Sequence, residues 1–266
     1  MTTPLSELQN LLATAERAAL AAGDVLRDWE TRFTVSEKGR ADLVTEADVA
    51  AQRCIHDLIG RAYPTHGFLG EEGLSQAGTS DFRWVIDPLD GTSNYVHRFP
   101  YYAVSIGLER GGDLLVGAIL DPTRGELFTA LKGGGAFLNG SPIKPSAWSK
   151  LSDAMLIASF PPGVSPEAPP IQRFLKTVPH AQTIHRSGSS ALNLAYTAAG
   201  RIDGYWSTSL KPWDCAAGVL ILREAGGRVT RIDGGPFDLA KPNLLASNGS
   251  GVHDEIVDIF TRNGLT

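Results

Sequence analysis

The run Trp84-Val85-Ile86-Asp87-Pro88-Leu89-Asp90-Gly91-Thr92-Ser93-Asn94-Tyr95 limits what this chain can fold into more than any other stretch of it. A short apolar strand delivers Asp87 at its end, Pro88 fixes one backbone dihedral, and Asp90 follows three residues later. Two carboxylates can therefore converge on one point just past a sheet. Hard divalent cations take such oxygen ligands, and Leu89 can add its backbone carbonyl while its side chain enters the core. Gly91 lets the backbone approach a ligand closely, and Thr92 to Asn94 fall where the first N–H groups of a short helix point. Taken alone, the run reads equally well as an Asx-rich turn between a strand and a helix.

Three further acidic features stand elsewhere in the chain. Gly70-Glu71-Glu72-Gly73 puts adjacent carboxylates in a glycine-flanked loop, which by itself is also what an exposed acidic turn looks like. Asp42-Leu43-Val44-Thr45-Glu46-Ala47-Asp48 places a carboxylate at a helix start, where helix-dipole capping is the plainer explanation. Trp213-Asp214-Cys215-Ala216-Ala217-Gly218 opens a long apolar helix with an Asp that could be a simple N-cap. Each is weak singly; the four together point to a metal-binding acid cluster.

The bulk properties leave room for such a site and close off others. With 266 residues, 42% of them apolar, the chain can bury an ordinary core as one large domain or two packed subdomains. A net charge of −5 argues against a main role in gripping nucleic acid or an anionic membrane. Any anionic ligand must then be held locally, by a metal ion or by backbone amides. The two cysteines, Cys54 and Cys215, form no CxxC pair, which makes zinc and redox chemistry improbable and a reducing cytoplasm the expected setting. No uncharged apolar run approaches the length needed to span a bilayer, and the N-terminal segment lacks a signal-peptide pattern.

Leu5, Leu8, Leu12, Ala15, Ala19, Ala22 and Leu26 recur at spacings of three and four, predicting an amphipathic helix over the first thirty residues. A break from Gly39 to Val44 precedes a second helix, capped by Thr45 and ended near Ala62. From Phe82 to Leu138 short apolar runs alternate with turns, with a hairpin at Gly111-Gly112, as in an antiparallel or mixed sheet. Ser141 to Pro170 is rich in Pro and Ser and reads as a passage between halves, with one strand at Ala154–Ser159. Beyond it, helix-like and strand-like segments alternate, including helices at Ser190–Ala199 and Ala216–Ala225. The expectation is an α+β N-terminal half, residues 1–150, carrying the metal-binding loops. An α/β C-terminal half, residues 151–266, would supply Asp214 and the substrate pocket.

Through residues 42–48, 70–72, 84–95 and 213–227, in order and in approximate spacing, the chain resembles the inositol monophosphatase family from about residue 5 to the C-terminus. The resemblance implies a layered αβαβα sugar-phosphatase-like fold and a phosphomonoesterase working with two or three Mg2+. Mn2+ would be a possible substitute and Li+ a possible inhibitor. Carried over residue by residue, Glu71, Asp87 and the Leu89 carbonyl would hold a first Mg2+, and Asp87, Asp90 and Asp214 a second. The nucleophile would be a water activated with help from the Thr92 hydroxyl, itself bonded to Asp48. Glu71 joins Asp48 and Thr92 in the implied catalytic set, and backbone N–H groups of Gly91 and Thr92 would hold phosphate oxygens. No Cys or His nucleophile is needed, so the histidines default to surface or core roles.

The alcohol side of the pocket would be lined through His185-Arg186-Ser187-Gly188-Ser189-Ser190-Ala191, with Ser190 and Ala191 as substrate-binding candidates. The same segment also reads as a plain serine-capped helix start. Seven residues before the metal-binding Asp, inositol-hydrolysing relatives generally carry Glu; here that position is Ser207. A short neutral hydroxyl cannot match a carboxylate's contacts with ring hydroxyls, which makes the pocket larger and less tuned to inositol. Inositol monophosphate or a related small phosphorylated alcohol or sugar is the expected substrate. Fructose 1,6-bisphosphate, histidinol phosphate and 3′-phosphoadenosine 5′-phosphate are the family alternatives. The resemblance further implies a homodimer with neither a nucleic-acid nor a membrane partner; a non-catalytic regulator on the same fold is the rival reading.

Overall fold

A computed structural model describes residues 3–39 and 42–266. The first helix, α1 (Leu5–Trp29), buries Leu8, Leu11, Ala15, Ala18, Ala19, Ala22 and Leu26 along one stripe. Leu8, Ala15, Ala19, Ala22 and Leu26 of the predicted face are on it, whereas Leu5 is exposed and Leu12 half-buried, with Leu11 and Ala18 buried instead; the alanines let the helix lie close to what it covers. Between α1 and the second helix stands an antiparallel ribbon, β1 (Val35–Gly39) with β2 (Asp42–Thr45). The expected break from Gly39 to Val44 thus carries strand at both ends, while Arg40 and Ala41 within it lie outside the described residues. Helix α2 (Glu46–Ala62) starts where predicted: the Thr45 hydroxyl accepts from Ala47 N–H, and Asp48 accepts from Thr45 N–H at 2.8 Å. This reciprocal pairing satisfies amide donors that a helix start otherwise leaves unpaired.

The next strands build one sheet: β3 (Gly67–Gly70), β4 (Ser75–Gln76), β5 (Phe82–Asp90), then β6 (Ala103–Arg110), β7 (Asp113–Asp121), β8 (Glu126–Leu131), β9 (Ala136–Leu138) and β10 (Ser141–Pro142). The short helix α3 (Thr92–Val96) follows β5 directly. The order across the sheet is β10-β9-β8-β7-β6-β5-β3-β4, with β3 and β5 parallel and the other neighbours antiparallel. Gly111 and Gly112 make the β6–β7 hairpin, with Arg110 opposite Asp113.

A second sheet takes its strands from later in the chain. It holds β11 (Met155–Ala158), β12 (Thr183–His185), β13 (Gly204–Ser207), β14 (Arg228–Thr230) and β15 (Leu244–Ser247), ordered β12-β11-β13-β15-β14. Helices α4 (Pro169–Thr177), α5 (Ser190–Ala198), α6 (Pro212–Glu224) and α7 (Gly251–Arg262) complete the chain. The expected start of α6 at Ala216 is corrected to Pro212. Proline reads as a breaker inside a helix, yet it suits the first position, where its missing N–H has no partner to lose.

Three apolar clusters set the layers. One joins α1 and α2 to one face of the first sheet. A second joins that sheet's other face, through Val85, Ile119 and Phe128, to α5, α6 and the near face of the second sheet. A third seals the far face of the second sheet under α7 and part of α4. Helices, sheet, helices, sheet, helices: this is the αβαβα sandwich. The middle layer is close because Gly107 and Gly117 stand opposite each other on β6 and β7, under α6. A Cβ on either would fall within 2.9 Å of Ala216 or Ala217. Residues 143–154 carry the chain from the first sheet to the second, pinned where Asn248 Nδ2 donates to Trp148 O at 2.8 Å and Asp203 accepts from Met155 N–H at 2.7 Å.

Candidate active site

The site lies where β5, α3, α2, α6 and the β3–β4 turn meet. Strand β5 is buried from Trp84 onward and loses its register with β6 between Asp87 and Asp90. Both Asp87 and Asp90 are therefore aimed out of the ladder while remaining buried. Asp87 accepts Leu89 N–H at 3.0 Å, an Asx-type turn of the kind read from the sequence. Asp90 is clasped by the start of α5, accepting from Ser189 Oγ and from Ala191 N–H, each at 2.6 Å.

Asp214 is the third residue of α6, not its cap, and accepts Lys211 N–H at 2.7 Å. The β3–β4 turn brings Glu71 alongside: Glu71 N–H donates to Ile86 O at 3.3 Å, next to Asp87 in the chain. Burial raises the Asp87 carboxyl well above its usual range, and the charges of Glu71, Asp90 and Asp214 push it further the same way. Burial likewise raises Asp90, to about 6, and raises Asp214, which Asp90 and Glu71 push further. The charged neighbours acting on Asp87 are thus all acids, an arrangement that a divalent cation relieves. Among the described residues no three acidic, histidine or cysteine side chains already close on a single point. A donor set of oxygens alone fits a hard cation rather than zinc.

Beside the acids stands a hydroxyl. Thr92 Oγ1 donates toward Asp48 Oδ1 at 3.1 Å and lies 3.2 Å from Leu89 O. Asp48 is fully buried, and its other oxygen accepts from Thr45 N–H and Thr45 Oγ1, at 2.8 and 2.7 Å. Burial raises its carboxyl despite these hydrogen bonds, which work in the opposite direction. Gly91, ahead of α3, has φ of +99°, and a Cβ there would meet Tyr101 O at 3.1 Å and Gly188 O at 3.3 Å.

Glu71, Gly91, Thr92, Ser93 and Asp214 line a cleft of about 300 Å3, together with Leu43, Pro162 and Gly188. A neighbouring hollow of about 390 Å3 shares Ser93, Pro162 and Gly188 with it and adds Phe99 and Arg186. A larger cleft, about 550 Å3, opens between residues 76–83, 109–112 and 237–240 and holds none of the candidate residues.

Of the substrate-binding candidates, Gly91 and Thr92 line the cleft, whereas Ser190, Ala191 and Ser207 do not. Ala191 is fully buried, its N–H committed to Asp90; the Ser190 hydroxyl accepts from Tyr205 at 2.9 Å; Ser207 is fully buried beside Ser209, 3.4 Å away. Sequence reasoning passed over Ser189, which holds Asp90, although it lies inside a quoted motif. It also passed over Asn94, whose Nδ2 donates to Tyr101 O at 2.7 Å and Ser187 O at 2.9 Å and so ties the α3 turn to the Gly188 loop. Cys215 is buried on α6, and His66 accepts from Trp84 Nε1 at 3.1 Å within the core, and neither lines the cleft. No helix among the described residues is long and apolar enough to cross a membrane.

The fold and the acid-lined cleft together define a metal-dependent phosphomonoesterase. The profile of the inositol monophosphatase family matches residues 7–264, and the chain belongs to that family. It is 43% identical over 256 residues to the inositol-1-monophosphatase of Synechocystis sp. PCC 6803, covering 94% of this chain and 88% of the relative. It is 40% identical over 264 residues to the Nus factor SuhB of Salmonella typhimurium strain 14028s, covering 95% and 99%. The crystal structure of the extragenic suppressor protein suhB from Bartonella henselae superposes with a TM-score of 0.91 at 37% identity, over 95% of this chain and 99% of that one.

Proposed function

We propose that this enzyme hydrolyses the phosphomonoester of a small alcohol or sugar, with inositol monophosphate inside the class but not singled out within it, and that Mg2+ is its metal. The observation that carries the reading is the juxtaposition of Glu71 and Asp214 on the cleft, with Asp87 buried beside them and acted on by Glu71, Asp90 and Asp214, and the Thr92–Asp48 pair. Glu71, Asp87, Asp90, Asp214 and the Leu89 carbonyl would hold two Mg2+, which when bound supply positive charge to both the attacking and the departing oxygen at phosphorus. A phosphate in the cleft meets the Gly91–Ser93 backbone at the start of α3, and its N–H groups hold the non-bridging oxygens as charge develops there.

The hydrogen-bond direction at Thr92 defines its role. Its one proton goes to Asp48 Oδ1 or to Leu89 O, both acceptors on the protein, so its lone pairs are left to accept from a water lying in the cleft. A water donating to Thr92 presents its own lone pair elsewhere, toward phosphorus. As the new P–O bond forms and the ester P–O bond breaks, the water's proton passes toward Thr92 and Asp48, and the alcohol leaves with a proton from solvent. Replacing Thr92 by Val keeps the shape and removes the relay; turnover should fall roughly 10²-fold or more with the fold intact.

Ser207 underlies the loose inositol preference: a buried hydroxyl turned to Ser209 offers a ring hydroxyl no charged partner. Phosphate release with and without Mg2+ tests the reading on inositol 1-phosphate, fructose 1,6-bisphosphate, histidinol phosphate, 3′-phosphoadenosine 5′-phosphate and glycerol 2-phosphate. Mg2+-dependent turnover with no strong preference for inositol 1-phosphate supports it. No turnover on any of them, with Mg2+ or Mn2+, sinks it. The relatives named Nus factor SuhB favour a second reading, in which the chain also serves as a Nus factor. Asp87→Asn separates the two, because a partner-binding role survives the loss of turnover.

A further inference from the structure

We infer that Gln52 is a positioning residue for metal binding, acting through the backbone of the turn that carries Glu71. The inference rests on the proposed role of Glu71 as a metal ligand and adds the device that holds it there. Gln52 lies on α2, one turn after Asp48 and on the same face, and is 8% exposed. Its side-chain amide holds both backbone polar groups of Glu72, bracketing two consecutive peptide units. Nε2 donates to Glu72 O at 3.0 Å, and Oε1 accepts Glu72 N–H at 3.1 Å. The Glu72 N–H belongs to the peptide that follows Glu71, so the grip fixes the chain at the point where the Glu71 side chain departs.

The surrounding residues are shaped for this contact. A Cβ on Gly70 would stand 2.5 Å from Gln52 Oε1 and 3.2 Å from Leu74 Cβ, so the glycine leaves the space the amide fills. The turn is also held by Gly70 N–H to Leu74 O at 2.7 Å, Gly73 N–H to Glu71 O at 2.8 Å and Glu71 N–H to Ile86 O at 3.3 Å, and Gln52 adds the tie between this turn and α2. An amide also fits the electrostatics, since Asp87 already feels the charges of Glu71, Asp90 and Asp214 and a carboxylate at position 52 would add another acid. An amide side chain supplies a donor and an acceptor on separate atoms without charge. Helix α2 thereby sets both halves of the site, Thr92 through Asp48 and Glu71 through Gln52.

The test is Mn2+ binding followed by calorimetry, with the metal-free unfolding midpoint measured alongside. Gln52→Met keeps the length and loses both hydrogen bonds; Mn2+ affinity should fall about tenfold, with the metal-free midpoint changed far less than the affinity. Gly70→Ala, which displaces the amide from the other side, should reproduce the loss. Gln52→Glu retains the acceptor for Glu72 N–H and should fall between wild type and Gln52→Met. Wild-type affinity in Gln52→Met, or a loss matched by a fall in metal-free stability, overturns the inference. Glu71→Gln is the control. If Glu71→Gln binds Mn2+ as wild type does, the metal-ligand reading itself fails; if it loses Mn2+ while Gln52→Met does not, only the role of Gln52 fails.

Discussion

Two carboxylates on the first sheet, Asp87 and Asp121, are equally buried and placed in opposite surroundings. Asp121, at the end of β7, accepts from Thr123 N–H, Thr123 Oγ1, Arg124 N–H, Arg124 Nη1 and the Tyr196 hydroxyl at 2.6 to 3.2 Å. Asp87 accepts from Leu89 N–H, shares a hydrogen bond with the Glu71 side chain, and faces the charges of Glu71, Asp90 and Asp214. A buried charge that is fully hydrogen-bonded fixes a corner of the fold. One surrounded by its own kind is kept for something that arrives later. Local structure is thus complete at Asp121, whereas at Asp87 it is left, on the proposed reading, to be completed by a cation.

The contrast breaks most visibly under substitution. Asp87→Asn should lower phosphate release roughly 10³-fold or more, because both implied metal positions share that carboxylate, while metal-free stability stays level or rises as repulsion is removed. Asp121→Ala should do the reverse. Stability should fall by about 3 kcal/mol in denaturant titrations, since Arg124 and Tyr196 lose their acceptor, while activity per folded molecule holds.

A third buried group sharpens the satisfied side of the comparison. His253 lies between Thr230 Oγ1 at 2.9 Å and Ser247 Oγ at 2.8 Å, and burial lowers its pKa from 6.5 to about 4. The unfolded chain takes up that proton first as pH falls. His253 therefore supports the fold above pH 6.5, and up to about 3 kcal/mol of that support is lost on the way down to pH 4. Stability measured across this window should show a shallower decline in His253→Gln than in wild type; parallel curves would remove histidine from the account. The smallest effect expected is Tyr196→Phe, about 1 kcal/mol of stability, because Asp121 keeps its remaining donors.

The sequence carried much of this because the site is built from local turns. The β5 strand, the Asp87–Asp90 turn, Gly91 and the Thr45–Asp48 cap each follow from neighbours a few residues apart, where propensity and hydrogen bonding decide. What was not legible depends on contacts distant in sequence. Ser189 meets Asp90 across 99 residues, and Gln52 meets Glu72 across 20. Nothing in the local pattern distinguishes either from an ordinary cap or a helix-surface amide. The β1–β2 ribbon was hidden because its residues are mostly polar and it joins neither large sheet. Ser190, Ala191 and Ser207 had places in quoted motifs, but whether a side chain lines a cleft or supports it from behind depends on how α5 and β13 pack.

The most direct test is the unfolding midpoint of wild type and Asp87→Asn, each in chelator and in saturating Mg2+. If the acid cluster is the metal site, Mg2+ at 100 times its dissociation constant stabilises wild type by about 2.7 kcal/mol, and Asp87→Asn shows little or none of that gain. An equal Mg2+ shift in both proteins, or none in wild type, would contradict the account.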